Sequence, residues 1–404
     1  MKIGLITASY LPTQIGGAEI SARLLAEGLV EKGHEVIILT FDGNQQVEQH
    51  INGVKVVRYR RIKGLTDTAQ TLTLIPQVFR AIRRWQNEIN LFHIYTLFPL
   101  PAAGIYKIFG GRRPVVATLN AYSGFCPLST ALCPVDRCNF VQRTRCLAKE
   151  KGLISRSLSV PYAAVYPNLI SLMKRADRYI ALSPTVKELY TEYGYREDKI
   201  DVIPNFVEEH IPTSVSMPTG RHDKFNVLYV GRLKQEKGVD ILIRAFYEMT
   251  KQNSEIRLTI VGDGTETEAL KNLVAELNIY KKVVFTGEVS HQDIWQYYRT
   301  ADVFVHPANW AEPFGRIVLE AMQFRLPLIV SNVGAPPEIV GNAGLVFEKG
   351  NVDKLLQKLQ LVYKDEKLRH KLSSNCFRIL RDYKRDSIIN RVIAVYQKAL
   401  EMKE

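Results

Sequence analysis

Long apolar runs are missing from this sequence of 404 residues. A helix that crosses a bilayer needs about 18 or more consecutive apolar residues, and no such run occurs. The first twelve residues, MKIGLITASYLP, contain one lysine and turn polar within a few residues, as a first β-strand does and a secretory signal does not. Both absences predict a cytoplasmic protein without a membrane span.

A complete Gly-x-Gly-x-x-Gly fingerprint followed by an acidic residue is also missing. That fingerprint lets a strand–turn–helix unit bind the pyrophosphate of a dinucleotide. Its absence counts against an NAD-dependent α/β oxidoreductase, which is the alternative enzyme class for this chain.

Acidic residues are scarce in the first half of the chain. Residues 1–205 contain 26 Lys and Arg against 16 Asp and Glu, and residues 206–404 contain 28 against 25, so the net charge of +13 divides into +10 and +3. Basic clusters attract phosphate or an anionic membrane surface, although solvated faces explain many of them. The clusters are RYRRIK (58–63), RAIRRW (80–85), GGRR (110–113) and MKRADR (173–178).

These basic clusters lack the scaffold of a nucleic-acid recognition motif. A basic nucleic-acid-binding protein with a Cys-bound metal is therefore the weaker alternative, and we expect no nucleic acid among the partners. An anionic membrane surface is an expected partner, which would place the protein peripherally on the cytosolic face of a membrane.

Short β-rich runs alternate with helical patterns along the chain, which is typical of parallel α/β architecture. Between the first two runs, Leu25 and Leu29 have helical spacing and Gly33 is a helix stop. The pattern predicts two Rossmann-like, doubly wound domains. The runs lie at 2–7, 34–40, 54–60, 91–96, 113–119 and 177–183, and then at 225–231, 256–262, 283–287, 302–307 and 326–332.

A polar, proline-containing stretch before the second series predicts a domain boundary. Parallel sheets bind ligands at the carboxyl ends of their strands, so two such domains predict a ligand cleft between those ends. The predicted organisation is an N-terminal domain over 1–207 with a Cys-containing insertion over 122–150, a linker over 208–224, a C-terminal domain over 225–384, and a terminal helix over 385–404 that returns to the first domain.

Two glycine-containing turns follow predicted strands and offer groups that bind phosphate. GGAE places Gly16 and Gly17 at the start of the first predicted helix, where backbone N–H groups are available. VGRLKQEKG places Arg232 and Lys237 in one loop before a helix. Arginine offers a planar fork to phosphate oxygens and lysine a point charge, so the pair fits a diphosphate site, although ordinary surface cations would look the same.

The stretch EPFGRIVLE places Glu312 and Glu320 eight positions apart. In a helix this spacing corresponds to about 12 Å, which is too far for the paired acids of a glycosidase. Two ordinary helix acids would fit the fragment equally well. Because the stretch follows a predicted strand, Phe314, Gly315 and Arg316 would offer backbone N–H groups at a helix N-terminus. The two acids are then expected to hold different parts of one extended ligand.

Motifs of this kind continue in order along the chain: GGAE (16–19), IPNFVE (203–208), VGRLKQEKG (230–238), VGDG (261–264), FTGEV (285–289), ADVFVHP (301–307), EPFGRIVLEAM (312–322) and NVGAPPEIVGNAGLVF (332–347). Together they resemble the signatures of retaining GT-B glycosyltransferases of family 4, the glycosyl transferases group 1. The resemblance spans nearly the whole chain, and eight motifs in order make it specific.

The resemblance implies a GT-B fold, in which two Rossmann-like domains face a central cleft. It implies transfer of a hexose-type sugar from a UDP- or GDP-sugar with retained anomeric configuration. The acceptor would be a glycan or a lipid-linked molecule in the synthesis of cell-surface polysaccharide, glycolipid or glycoprotein. Catalysis would need no metal cofactor, because Arg232 and Lys237 would stabilise the leaving diphosphate. Retention would come from a front-side attack in which the leaving phosphate acts as the base.

The resemblance also implies residue roles. Arg232 and Lys237 would hold the donor diphosphate, and Glu312 would hydrogen-bond the donor sugar. Glu320 would bind the ribose hydroxyls. Further substrate contacts would come from Gly16, Gly17, Asn120, Gly262, Phe314, Gly315 and Arg316.

Two positions depart from the family pattern. Where the family has His, often followed by Asp, this chain has Asn120 and Ala121. Asparagine can hydrogen-bond a sugar hydroxyl but does not titrate near neutral pH. Phe206 stands where the family usually has glycine, which predicts a stiffer chain before the linker.

Four of the five cysteines lie within 21 residues, at Cys126, Cys133, Cys138 and Cys146. Their spacing matches no common zinc or iron–sulfur pattern, so a structural metal, two disulfides and free thiols all remain open. The resemblance adds that some family members carry Cys-containing insertions beginning with Cys-Pro. We favour a structural zinc or iron–sulfur cluster, because nothing else in the sequence indicates an oxidising compartment. The fifth, Cys376, is expected in a core.

Overall fold

The computed structural model describes residues 1–12, 16–61, 67–129, 138–148, 153–207, 224–290 and 293–402, with backbone only at 67–71 and 153–158. The chain divides into two compact units: unit 1 is Met1–Asn205 with Arg385–Glu404, and unit 2 is Phe206–Lys384. The predicted linker over 208–224 lies outside the described residues except for Lys224.

Unit 1 is built on an eight-stranded sheet with the strand order β3-β4-β2-β1-β5-β6-β7-β8. Every neighbouring pair is parallel except β3 and β4. The strands are β1 Lys2–Thr7, β2 Glu35–Gly43, β3 Val47–Ile51, β4 Val54–Arg60, β5 Leu91–Ile94, β6 Val115–Leu119, β7 Arg178–Ala181 and β8 Ile200–Val202.

In the described part of unit 1, six helices lie between the strands along the chain, and the first of them packs on β1 and β2. Leu25 and Leu29 of the first helix are buried, and Gly33 follows its end with φ +78°, so the predicted helix and its stop are confirmed. The helices are α1 Gly17–Glu31, α2 Asp67–Trp85, α3 Leu100–Ile108, α4 Phe140–Ala148, α5 Leu153–Met173 and α6 Pro184–Glu192.

Unit 2 has a six-stranded, wholly parallel sheet with the order β11-β10-β9-β12-β13-β14. Its strands are β9 Phe225–Val230, β10 Ile256–Val261, β11 Val283–Phe285, β12 Val303–His306, β13 Leu328–Ser331 and β14 Gly344–Phe347. Its helices are α7 Val239–Thr250, α8 Thr267–Glu276, α9 Trp295–Arg299, α10 Arg316–Gln323, α11 Pro336–Val340, α12 Val352–Lys364 and α13 Glu366–Leu380.

The core of unit 2 lies between the sheet and the helices packed on it. Leu242 and Phe246 of α7, Leu355 and Leu359 of α12, and Leu258 of β10 belong to one buried cluster. Each such side chain contributes about 1.5–3 kcal/mol relative to an exposed one. The α/β architecture with two doubly wound parallel sheets, predicted from the alternating pattern, is confirmed.

Helix α14, Arg385–Glu401, follows unit 2 in the chain but packs in unit 1. The Tyr396 hydroxyl lies 2.7 Å from Nδ1 of the buried His93. An added Cβ at Gly28 of α1 would lie 2.0 Å from Cδ1 of Ile389, so the absence of a side chain there lets α1 and α14 approach closely. Among the described residues, no helix combines the length and apolarity that a bilayer crossing requires.

Candidate functional site

The carboxyl end of the unit 2 sheet brings the predicted donor-binding loops together. Gly231 and Gly262 follow β9 and β10 with φ +148° and +129°. A Cβ at Gly262 would lie 2.1 Å from the Gly231 carbonyl oxygen. The structure therefore gives Gly262 a packing role between two backbones, and its predicted contact with substrate stays a prediction.

The loop after β9 places Lys237 beside the end of β12. Gly238 takes the left-handed conformation with φ +64°, and a Cβ there would lie 2.2 Å from the Pro307 carbonyl oxygen. Only glycine combines this conformation with this approach. Arg232, near the start of the loop, is exposed and forms no ion pair with another described residue.

Lys237 and Glu312 form a half-buried ion pair. Lys237 Nζ donates to Glu312 Oε2, and their side chains are 17% and 15% exposed. Trp310 Nε1 donates to the same carboxylate oxygen at 3.0 Å. Lys237 Nζ also lies 4.9 Å from the centroid of the Trp310 ring, a cation–π contact. Two residues that are 75 positions apart in the sequence thus share one site.

Electrostatics keep the Glu312 carboxylate ionised. Burial alone would raise its pKa, but Lys237, His306 and the Trp310 hydrogen bond together hold that pKa below its ordinary value. Burial lowers the pKa of His306 to about 4, so this imidazole is neutral near pH 7. His306 Nε2 lies 3.8 Å from Glu312 Oε2, and neither ring nitrogen has a hydrogen-bond partner in the described part of the chain.

Trp310 and His306 were not predicted as site residues. His306 ends the strand β12, and a polar side chain at the carboxyl end of a buried strand was the signal that could have identified it. No comparable signal marks Trp310, whose contact with Glu312 depends on the loop conformation.

Helix α10 begins next to this pair. Gly315 caps it with φ +82°, and the first backbone N–H groups of the helix have no partner inside the helix. Phe314, predicted to offer such a group, is 3% exposed and its ring lies 6.2 Å from that of Tyr383. The predicted helix N-terminus after β12 is thus present.

Glu320 lies in a different set of contacts from Glu312. It is 5% exposed, its Oε1 lies 3.3 Å from Arg316 Nε, and its Oε2 accepts a hydrogen bond from the Tyr298 hydroxyl at 3.2 Å. Arg316 Nη1 also donates to the Phe206 carbonyl oxygen at 3.4 Å. The two acids have separate partners, as expected for contacts with different parts of a ligand. Their sugar and ribose roles stay predictions.

The remaining predicted residues lie in unit 1. Gly16 caps α1 and Gly17 is its first residue, and a Cβ at Gly17 would meet no atom of the described residues within 4 Å. Asn120 directly follows β6 and its Nδ2 donates to the Tyr95 carbonyl oxygen at 2.7 Å. The space that the described residues leave beside Gly17 fits close approach of a ligand.

The cysteine cluster is described only in part. Cys126, Cys138 and Cys146 are half-buried in the described part of unit 1, whereas Cys133 lies outside the described residues. In the described part of the chain, no group of three or more His, Cys, Asp or Glu is placed to hold a metal ion. The metal interpretation stays a prediction. Cys376 is fully buried, and burial raises the pKa of its thiol to about 12, so the prediction of a core residue is confirmed.

Two family models match this chain. Glycosyltransferase Family 4 matches residues 15–210 and Glycosyl transferases group 1 matches residues 217–378. An uncharacterized glycosyltransferase of Methanocaldococcus jannaschii is 28% identical, covering 100% of this chain and 99% of its own length. The alpha-monoglucosyldiacylglycerol synthase of Acholeplasma laidlawii is 25% identical over 93% of this chain and 91% of that protein.

Solved structures of GT-B glycosyltransferases share the fold. Sucrose-phosphate synthase of Thermosynechococcus elongatus has a TM-score of 0.78 at 21% identity, covering 98% of both chains. HepE of Anabaena, in complex with UDP and glucose, has a TM-score of 0.71 at 21% identity, again over 98% of both chains. With the two family models, these matches establish that the chain belongs to the group 1 glycosyltransferases of family 4 and is an enzyme with the GT-B fold.

Proposed function

We propose that this glycosyltransferase moves a hexose-type sugar from a UDP- or GDP-sugar to a glycan or lipid-linked acceptor with retention of configuration. The observation that carries the proposal is the Lys237–Glu312 pair at the carboxyl end of the unit 2 sheet, beside the N-terminus of α10. An ionised carboxylate accepts hydrogen bonds from sugar hydroxyls, and an adjacent ammonium attracts a diphosphate.

Arg232 and Lys237 each bind part of the negatively charged donor diphosphate. Arg232 is exposed and its guanidinium is available for two phosphate oxygens. The Lys237 ammonium has three N–H donors, so it can keep its hydrogen bond to Glu312 and still donate to a phosphate oxygen. Because the leaving group gains negative charge as the sugar departs, both cations favour the transition state over the ground state.

Glu312 is suited to binding and poorly suited to nucleophilic attack. Its Oε2 already accepts from Lys237 and Trp310, which withdraws charge from that oxygen. In the proposed step, the anomeric carbon–phosphate bond breaks while the acceptor oxygen forms a bond on the same face. The acceptor proton passes to the leaving phosphate oxygen, so no covalent enzyme intermediate is required. Arg232 and Lys237 stabilise the charge of the leaving diphosphate in place of a metal ion.

Relatives support a nucleotide-sugar donor and a carbohydrate or lipid acceptor. The structure of Anabaena HepE was solved with UDP-glucose. One relative is an alpha-monoglucosyldiacylglycerol synthase, and the glycogen synthase of Mycobacterium tuberculosis is 25% identical over 85% of this chain. These relatives favour UDP over GDP as the donor nucleotide, and they support glycan and lipid-linked acceptors equally.

A donor screen tests the proposal. The chain is incubated with UDP- and GDP-hexoses and with glycan or lipid-linked acceptors, with and without EDTA, and the released nucleotide is measured. We expect release from one nucleotide class, unaffected by EDTA, and an α-linked product from an α-linked donor by NMR. Inversion of the anomeric centre, loss of activity with EDTA, or thermal stabilisation by NAD alone would contradict the proposal.

A further inference from the structure

A second basic site lies in unit 1. A cavity of about 960 Å³ opens there, which is in the size range of small-molecule sites. Four of its nine lining residues are arginines and none is acidic, and we refer to it as the four-arginine cavity. The lining residues are Asn44, Gln46, Tyr59, Arg60, Arg61, Gln77, Arg80, Ala81 and Arg84.

Three separate segments build the four-arginine cavity. Gln77, Arg80, Ala81 and Arg84 occupy positions i, i+3, i+4 and i+7, which lie on one face of α2. The end of β4, residues 59–61, and the turn between β2 and β3 supply the other walls.

The walls are held in place by contacts that involve none of the arginines. Trp85 at the end of α2 is buried, and its Nε1 donates to the Tyr59 hydroxyl at 3.0 Å. The Tyr59 ring stacks on Phe41 of β2, with centroids 5.1 Å apart and planes at 13°. These contacts fix α2 against β4 and β2, so the cavity is formed before any ligand arrives.

Three of the four arginines, Arg60, Arg80 and Arg84, are exposed and form no ion pair with another described residue. Arg80 and Arg84 stand one helical turn apart, a spacing at which like charges repel. Glu48 influences Arg84, but its carboxylate forms an ion pair with Lys55 at 2.8 Å. By contrast, Arg58 on the same strand as Arg60 is paired with Asp42. The exposed arginines of the cavity therefore form an anion-binding surface, and the neighbouring buried one does not.

The position of the cavity in the fold favours a ligand. β2 and β4 are parallel and end at Gly43 and Arg60, so both strands reach the cavity with their carboxyl ends. β1 is parallel to β2, so its carboxyl end lies at the same edge of the sheet, and the chain continues from there to Gly17 and α1. Ligands of doubly wound sheets bind at this edge.

We propose that the four-arginine cavity binds a phosphate group carried by the acceptor. The inference rests on the proposed function, because it assigns the acceptor side of the reaction to unit 1. Guanidinium groups bind phosphate oxygens through paired, charge-assisted hydrogen bonds, and the exposed guanidinium groups of Arg60, Arg80 and Arg84 are available to one phosphate or diphosphate. The phosphate belongs either to a lipid headgroup or to a soluble phosphorylated glycan.

Calorimetric titration with inorganic pyrophosphate tests the site directly. All proteins carry Arg232→Ala, which removes the exposed cation proposed for the donor diphosphate. Adding Arg80→Gln and Arg84→Gln should weaken pyrophosphate binding by about 100-fold, at about tenfold for each charge-assisted contact. The matched control is Arg83→Gln, which removes the same charge from the same turn of α2.

Arg83 is a suitable control because it does not line the cavity and its charge acts on Tyr106 of α3. We expect this variant to bind pyrophosphate within about twofold of the Arg232→Ala parent, since it removes no contact with the ligand. Equal losses in the double variant and in Arg83→Gln would overturn the proposal. Unchanged binding in the double variant would overturn it as well.

Vesicle flotation distinguishes the two sources of phosphate. Binding to phosphatidylglycerol vesicles but not to phosphatidylcholine, lost in the double variant and kept in Arg83→Gln, would assign the site to a lipid headgroup. Pyrophosphate binding lost in the double variant, with no difference between vesicle types, would assign it to a soluble phosphorylated acceptor. Donor-nucleotide affinity, measured in the wild-type background, should not change in the double variant, so failure of the cavity proposal leaves the proposed donor site intact.

Discussion

The two basic sites of this enzyme differ in whether their cations are paired with an acidic side chain. In unit 2, Lys237 is half-buried and paired with Glu312, which Trp310 holds in turn. In unit 1, Arg80 and Arg84 face an open cavity without an acidic partner on its walls. At the Lys237–Glu312 pair, the acid can bind hydroxyl groups of a ligand and the cation can bind its phosphates. Arg80 and Arg84 offer only positive charge, so they attract anions.

This difference predicts different costs of substitution. Removing Lys237 leaves a buried carboxylate without its main partner, so both the fold and the reaction are affected. Removing Arg80 relieves repulsion between like charges, so ligand binding is lost while stability is kept or improved. Stability measurements beside binding measurements thus separate the two kinds of site.

The largest expected effect concerns Lys237. Lys237→Ala should lower turnover by about 100-fold or more, because the ammonium stabilises charge that develops on the leaving diphosphate. Initial rates of nucleotide release measure this, with thermal unfolding as a check on folding. The matched control is Lys234→Ala, an exposed lysine of the same loop, which should stay within about twofold. Wild-type turnover in a stable Lys237→Ala enzyme would remove Lys237 from the site.

Next in size is the contrast between the two acids. Glu312→Gln should mainly lower kcat, by about 10–100-fold, because Glu312 is proposed to act on the sugar as it departs. Glu320→Gln should mainly raise the dissociation constant of the donor nucleotide, by about tenfold. Steady-state kinetics and calorimetry separate the two effects. A glycosyl ester trapped on Glu312 would instead indicate double displacement.

Acid should destabilise unit 2 through His306. Its pKa falls from 6.5 to about 4 on folding, so the unfolded state binds more protons between these values and stability falls as the pH drops through that window. The effect is at most about 3 kcal/mol. His306→Leu should flatten the dependence of the unfolding midpoint on pH, whereas His370→Leu, which removes an exposed imidazole, should not. Identical pH profiles for wild type and His306→Leu would contradict this linkage.

Alanine substitutions of Gly262 in unit 2 and Gly17 in unit 1 should differ in their effect on stability. Gly262→Ala should cost about 2 kcal/mol or more of stability, because its Cβ would collide with the Gly231 carbonyl oxygen. Gly17→Ala should change stability by less than about 1 kcal/mol, since no atom of the described residues lies within 4 Å of the added Cβ. We expect Gly17→Ala to weaken substrate binding instead. Equal stability losses for the two variants would show that Gly17 is also packed.

The smallest expected effect concerns the cysteines. Elemental analysis of protein purified without chelator should give about one zinc, or the iron of one cluster, per chain. Substituting Cys138 by Ser should lower that content with little effect on nucleotide affinity, because the cluster belongs to unit 1. Four titratable thiols without metal would leave free thiols. If the protein contains no metal and no titratable thiols in this cluster, the four cysteines form two disulfides.

The sequence predicted the strands with continuous apolar runs and missed those without them. β1 and β4 have the predicted bounds, 2–7 and 54–60, and seven of the other nine predicted strands end one or two residues earlier than predicted. β3, with the sequence VEQHI, was missed because it is a largely polar edge strand that pairs antiparallel with β4. β14 was missed because its four residues include the exposed Val346.

Candidate site residues could be identified from sequence where one short motif contained them. The sequence predicted that Lys237 binds phosphate and that Glu312 binds sugar, and both roles stay predictions. The pairing of the two residues could not be predicted, because it depends on how β9 and β12 lie side by side. The four-arginine cavity shows the same limit. RYRRIK and RAIRRW were visible as separate clusters, whereas their convergence required the packing of α2 against β4 through Trp85 and Tyr59.

Helix α14 gives the chain a discontinuous unit 1, with all of unit 2 inserted between its two segments. During translation, the ribosome must synthesise every residue of unit 2 before it makes the helix that covers Gly28 and reaches His93. Unit 2 is contiguous and can complete its core while unit 1 still waits for Ile389 and Tyr396. The half of the enzyme that begins synthesis first is therefore the half that finishes folding last.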